Sequence, residues 1–286
     1  MIQSMTGFGK SVLQLPTKKI TIEIKSLNSK ILDLNVRIPS DYKAKEIALR
    51  NQIAKKIERG KVELLITSET TAEETATKIN APIVRNYIRQ MQSILPEADS
   101  TELMKMAVRM PDTLKSEITE IDASEWIEIQ KTIEQAIAFF IEFRITEGKV
   151  LQTDFEQRIE KIRLLTTQVV SLDKERMETI QTRLLDALNN LKIIIDENRF
   201  EQELIYYLEK YDITEEKIRL DSHLDYFLQT IQKENSAGRK LGFIAQEIGR
   251  EINTMGSKSN HSQMQKLVVQ MKDELEKIKE QILNVL

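Results

Sequence analysis

Glu247 and Glu251 stand one helical turn apart in the segment Gly238–Lys258, with Arg250 between them. Two carboxylates at i and i+4 point the same way from a helix, as a hard divalent cation requires. Arg250 and Lys240 nearby supply the cations that a phosphate requires. In the same segment Leu241, Ile244, Ala245, Ile248, Ile252 and Met255 recur at helical spacing. They form one apolar stripe, which predicts a buried helix face. Arg239, Gln246, Arg250 and Asn253 fall opposite the stripe, while Lys240, Glu247, Glu251 and Thr254 follow its edge. A plain solvated face favours Glu–Lys pairs. This mixture of carboxylate, guanidinium, amide and hydroxyl suits a metal or phosphate ligand. The competing reading is two mildly repelling carboxylates on an exposed surface.

A second helix is predicted over 213–234, with a core stripe of Leu220, Leu224, Phe227, Leu228 and Ile231. Glu216, Arg219 and His223 share one side of it. They read as further ligands, or as an ordinary ion pair with a solvated histidine. Asp212 and Glu215 have the spacing of a capping box. Gly242, Gly249 and Gly256 recur every seventh residue and share a flank. Each costs about 1 kcal/mol in a helix relative to Ala. That cost implies a close approach by a neighbouring helix or a nucleic-acid backbone, although Gly256 also suits a C-cap. Ser259 or Asn260 is expected to cap the last helix, near His261.

In the first third of the chain Lys25, Lys30, Arg37, Arg59 and Lys61 gather at strand ends and turns. They form either a charged rim or a surface that tracks phosphates. Thr6-Gly-Phe-Gly-Lys10 lacks the spacing of either glycine-rich nucleotide motif. The chain has no cysteine, which excludes thiolate metal sites, disulfides and cysteine nucleophiles. A net charge of −3 excludes a wholesale basic footprint, so any nucleic-acid site must be local. No run reaches the ~18 apolar residues of a membrane span, and no leader pattern opens the chain. A cytoplasmic protein is expected.

The elements that must hold these groups define an α+β protein. A small N-terminal β-sheet with a packed helix is followed by a long-helix, mainly α-helical region. Ile20–Lys25, Leu32–Ile38 and Val62–Thr67 alternate as half-buried strands do, with an earlier strand within 2–14. After Pro39, Ser40 or Asp41 should cap a helix whose apolar side is Ile47, Leu49, Ile53, Ala54 and Ile57. Residues 70–80 read as a loop, and 81–94 and 99–110 as helices. From Ser124 to about Glu197 only Gly148 interrupts a helical pattern, so a bend or junction is expected there. Three domains follow: 1–123, an α+β domain; 124–197, a helical rod or hairpin; and 198–286, a helical domain carrying the candidate site.

The chain resembles the YicC/YloC-type bacterial endoribonucleases over nearly its whole length. The resemblance rests first on Ser4-Met-Thr-Gly-Phe-Gly9, Ser26-Leu-Asn-Ser-Lys-Ile-Leu32 and Arg59-Gly-Lys-Val-Glu63. Further on it rests on Asn198-Arg-Phe-Glu-Gln-Glu-Leu204, Asp212-Ile-Thr-Glu-Glu and Arg219-Leu-Asp-Ser-His223. It closes on Gly238-Arg-Lys-Leu, Gln246-Glu247, Arg250-Glu251, Asn253-Thr254 and Ser257-Lys258. Gly242 and Gly249 depart from the family pattern, which carries Asp and Asn there. The resemblance implies a cytoplasmic, metal-dependent endoribonuclease of single-stranded or structured RNA, assembled as a homohexamer. On that reading Mn²⁺ or Mg²⁺ is the cofactor and RNA the partner, with no membrane and no DNA. Glu247, Glu251, Arg250 and His223 are the catalytic candidates. Glu247 and Glu251, with His223 or Glu216, are the metal ligands. Arg219, Arg239, Lys240 and Lys258 bind phosphates, and Lys30, Arg37, Arg59 and Lys61 guide the RNA. The rival reading is a non-catalytic RNA-binding adaptor that presents RNA to another nuclease.

Overall fold

Alternation of apolar and polar residues builds the sheet. The computed structural model describes residues 2–70, 77–116, 123–190, 197–234 and 236–286. They form two compact units. The sheet unit comprises Phe8–Lys25 and Leu32–Phe140. Its strands β1 (Gly7–Gln14), β2 (Lys18–Leu27), β3 (Leu32–Arg37) and β4 (Gly60–Thr70) lie in the order β1-β2-β4-β3. Ile20, Ile22, Ile24, Val62, Leu64 and Ile66 are buried on one face, and the residues between them are not. β3 and β4 run parallel, with Leu32 opposite Gly60 and Arg37 opposite Leu65. A parallel pair needs a crossover. A 3₁₀ turn (Ser40–Lys45) and helix α1 (Glu46–Lys56) supply it.

Two expectations for this crossover change. Pro39 holds the cap position and neither Ser40 nor Asp41 caps the turn. The 3₁₀ turn also sets the phase of α1, so that Leu49 and Ile53 are buried while Ile47 is exposed. Ile47 lies two residues from Leu49, about 200° around the helix. Helices α2 (Ala81–Ile94) and α3 (Ser100–Ala107) follow, with Asp99 capping α3 by accepting the Glu102 N–H. Short strands β5 (Thr77–Ile79) and β6 (Leu114–Ser116) bracket the two helices as an antiparallel pair that alternation over so few residues did not reveal. Residues 71–76 of the expected loop lie outside the described residues.

The helical unit comprises Met1–Gly7, Ser26–Ile31 and Ile141–Leu286. It thus gathers both ends of the chain, in a division that does not follow chain order. Helix α4 runs without interruption from Ala123 to Asn190. The expected bend at Gly148 is absent, and the glycine has another purpose. A Cβ there would sit 2.1 Å from the Ile2 carbonyl oxygen, because the N-terminal segment presses on the helix. That segment pairs with the far end of the chain: Leu286 N–H donates to Gln3 O at 2.9 Å and Met5 N–H to Asn284 O at 2.8 Å. Arg144, buried on α4, donates to Met5 O and to Ser26 Oγ. Burial lowers its pKa to about 10. The end of the expected rod, 191–196, lies outside the described residues.

Helices α5 (Glu197–Tyr211), α6 (Thr214–Lys233), α7 (Gly238–Lys258) and α8 (Ser262–Ile282) complete the unit. Phe155, Ile159, Ile162 and Val169 of α4 share one core with the stripes of α6, α7 and α8 and with Ile2. The stripe of Leu241, Ile244, Ala245, Ile248, Ile252 and Met255 is buried as its spacing predicts. α8 is capped by His261 itself, whose Nδ1 accepts the Met264 N–H, while Ser259 closes α7 on Met255 O.

Candidate active site

The α6–α7 hairpin places the candidate residues along one edge. At its open end Asp212 accepts from the backbone N–H and hydroxyl of Thr214, at 3.0 and 2.7 Å. Those bonds hold the Asp212 carboxyl below its ordinary pKa. The capping box is therefore replaced by an Asp212–Thr214 turn, and Glu215 pairs with Arg219. Glu216 then accepts from Lys258 at 2.8 Å, which joins the start of α6 to the end of α7. At the closed end Lys240 pairs with Glu234, and its Nζ lies 5.0 Å from the centre of the Tyr226 ring. These two contacts fix an antiparallel register. Two turns in from Glu216 and two turns back from Lys258 lie His223 and Glu251, which puts them at one level of the hairpin.

Burial differs sharply between the two carboxylates. Glu251 is only 4% exposed. Among the described residues none donates a hydrogen bond to its carboxylate or forms an ion pair with it. Glu247, one turn away, has a half-exposed side chain with Arg250 at 3.8 Å. Glu216 Oε2 is buried without a hydrogen-bond partner, while its Oε1 is held by Lys258. Among the described residues no three of His, Asp and Glu are grouped so that they could hold one metal ion. Glu216, His223, Glu247 and Glu251 are thus strung along an edge, with Glu216 two turns from the Glu251 level.

The cations divide by how firmly they are held. Lys258 donates to Glu216 and to Asp212 O. Lys240 and Arg219 are paired with Glu234 and Glu215. Arg250 is 72% exposed, and Arg239 is exposed as well. In the N-terminal set Arg37 pairs with Glu63 at 3.2 Å, exposed Lys61 lies in register with Asp33, and Arg59 is half-buried. These three belong to the sheet unit, whereas Lys30 belongs to the helical unit.

Sequence reasoning missed Arg176, which lies on α4 and is 2% exposed. Its guanidinium donates to Lys258 O at 2.7 Å and to Tyr211 O at 2.8 Å, and pairs with Asp173. It therefore clamps the end of α7 to the α5–α6 junction. Burial raises the pKa of Asp173 against the pull of Arg176. A charged residue on a long helix reads as solvated, and nothing local marks this one as buried.

Two family descriptions cover this architecture. Residues 2–153 match the N-terminal region of the YicC-like endoribonucleases, and residues 165–286 match the C-terminal region. The chain belongs to the YicC-like endoribonuclease family. It is 35% identical to the protein named probable endoribonuclease YicC of Clostridioides difficile (strain 630), over the full length of both chains. It is 29% identical, again over the full length of both, to the protein of the same name from Haemophilus influenzae. The sheet falls in the N-terminal YicC-like region, and the α6–α7 edge in the C-terminal one.

Proposed function

We propose that this chain cuts RNA internally by hydrolysis at the α6–α7 edge, with a Mg²⁺ or Mn²⁺ ion. One observation carries the site: Glu251 is 4% exposed, no described residue donates to its carboxylate or pairs with it, and its oxygens are not among the fully buried ones. A carboxylate that reaches the surface without a protein partner is open to a hard cation. The residues fit such an ion, because Mg²⁺ takes one or two carboxylates and completes its shell with water and substrate phosphates. Glu251 would hold it, with Glu247 one turn along and His223 at the same level. When bound, the ion activates water and neutralises charge at the scissile phosphate.

The chain's own groups bind and orient the substrate. Arg250, held only by a long ion pair with Glu247 at 3.8 Å, and exposed Arg239 can meet phosphate oxygens, where guanidinium binds in a forked geometry. Lys258 has used two of its three N–H donors on Glu216 and Asp212 O, which leaves one for a phosphate at a fixed position. Arg219 and Lys240 flank the edge from ion pairs of the kind that add little stability, so phosphate can compete for both. Arg37, Arg59 and Lys61 of the sheet unit, and Lys30, guide the strand. The working form in this reading is a cytoplasmic homohexamer, consistent with exposed apolar side chains on α4 and α5 such as Val150, Leu164, Ile205 and Tyr206. Among the described residues no helix is long and apolar enough to cross a membrane.

The test is cleavage of a labelled RNA by homogeneous protein with Mg²⁺, with Mn²⁺ and with EDTA. Expected are cutting that stops in EDTA and a loss of at least ~100-fold in Glu251→Gln. Cutting that persists in EDTA removes the metal, and full activity in Glu247→Gln/Glu251→Gln removes the site. One observation favours the adaptor reading: the lack of a three-ligand group among the described residues of one chain. On that reading RNA binding survives purification while cleavage does not.

A further inference from the structure

Phe8 sits where a structural phenylalanine has no reason to be. It lies between Gly7 and Gly9 on β1, an edge strand of the four-stranded sheet. The glycines explain the strand's position. A Cβ on Gly9 would lie 2.1 Å from Ala136 O and 2.7 Å from the Phe140 backbone nitrogen. The inner face of β1 is therefore pressed onto α4, and the alternation turns Phe8 to the outer face, where it is 40% exposed. Two of its charged neighbours are basic. Lys25 of β2 places Nζ 5.8 Å from the ring centre. Lys10 follows two residues along the same face. Both lysines share one carboxylate, Glu23, at 2.9 and 3.1 Å, and the three together carry a net positive charge. Their hydrogen bonds hold Glu23 below its ordinary pKa, so it stays ionised beside them.

We infer that the outer face of the sheet is a binding surface for single-stranded RNA, on which Phe8 stacks a base while Lys10 and Lys25 hold the flanking phosphates. An exposed aromatic with one cation over a face of its ring and a second beside it offers its other face to an unpaired base and its charges to the backbone. A duplex keeps its base faces hidden and cannot use it. The surface extends across the sheet. Exposed Lys61 lies on β4 and exposed Arg37 on β3, both on the same face as Phe8. Three strand spacings of ~4.8 Å put β1 and β3 ~14 Å apart, room for a short run of nucleotides. The Arg37–Glu63 and Lys–Glu23 pairs are solvent-facing and yield readily to phosphate. The inference rests on the ribonuclease reading, and it adds to that reading a sheet face that meets the unpaired bases of the RNA.

The experiment measures binding of a fluorescent oligouridine and of an RNA duplex to the full chain, in EDTA and over a salt series. Phe8→Ala and Phe8→Leu should each bind the oligouridine about tenfold more weakly, and Phe8→Trp should bind it at least as well as the parent. Duplex binding should be the weaker of the two and indifferent to all three changes. Lys10→Gln/Lys25→Gln should flatten the salt dependence. The inference falls if Phe8→Ala and Phe8→Leu bind the single strand as the parent does, or if the duplex loses as much. It falls as well if Phe8→Ala, folded by circular dichroism, changes the mass of the protein in solution, since the face then covers a second copy. A parent chain that binds no RNA removes the ribonuclease reading too. A parent that binds and cuts RNA while Phe8→Ala is unchanged removes this inference alone.

Discussion

Gly242, Gly249 and Gly256 look alike in the sequence and differ in what a side chain would meet. A Cβ at Gly242 meets nothing within 4 Å, at Gly249 it comes 3.1 Å from Leu275 Cδ2, and at Gly256 it comes 2.9 Å from Val268 Cγ1. Spacing shows that three residues share a flank, but not how near the next helix comes along it. That neighbour is α8, so a close approach by a helix is the correct reading for two of the three. Gly242→Ala should stabilise the protein by about 1 kcal/mol, the helix propensity of alanine over glycine. Gly256→Ala should destabilise it by about 1–2 kcal/mol, because Val268 is buried and β-branched, and so stiff about its first side-chain torsion. Thermal unfolding of the two variants should therefore shift in opposite directions from the parent. A gain at Gly256 would show that α7 and α8 are less tightly packed there than described.

At the scale of elements, helix limits were legible and helix-to-helix chemistry was not. The α7 stripe and the polar connection after it marked Gly238–Lys258 closely, because periodicity and end signals are local. Glu274 shows what is not local. On α8 and 5% exposed, it accepts from Lys161 at 2.6 Å, Arg158 at 2.9 Å and Lys277 at 3.2 Å. Two of those partners sit on α4, far away in the chain. The Lys161 hydrogen bond leads the effects that push the Glu274 carboxyl from 4.5 down to about 2. A depressed carboxyl pKa means the folded state prefers the ionised form. Its stabilisation is complete above about pH 4.5 and is lost as pH falls toward 2. Glu274→Gln should cost about 2 kcal/mol at neutral pH. The difference between variant and parent should shrink over that acid window in urea titrations. A constant difference would mean that the three cations do not hold the ionised form. Arg176 makes the same point nearer the site. Arg176→Met strips donors from Lys258 O and Tyr211 O. It should cost about 2–3 kcal/mol and weaken RNA cleavage more than the removal of exposed Arg183 would.

For the whole molecule, chain order proved a poor guide to which parts fold together. Borders drawn at 123 and 197 follow changes in pattern, yet the helical unit takes in residues 1–7, 26–31 and the C-terminus. Those short pieces carry no periodicity, and only their docking shows where they belong. Ile2 is fully buried in the core of the helical unit, and its carbonyl lies against Gly148 of α4. Ile2→Ala should cost about 2–4 kcal/mol, as large-to-small changes in a core do. Gly148→Ala separates two views of the glycine. In a free helix it would gain about 1 kcal/mol. Here its Cβ would displace the Ile2–Met5 segment and should lower the melting temperature. Because both changes undo one docking event, their combination should cost less than the two taken separately. Full additivity in denaturant titrations, or a stabilised Gly148→Ala, would show that the N-terminal segment does not brace α4 in solution.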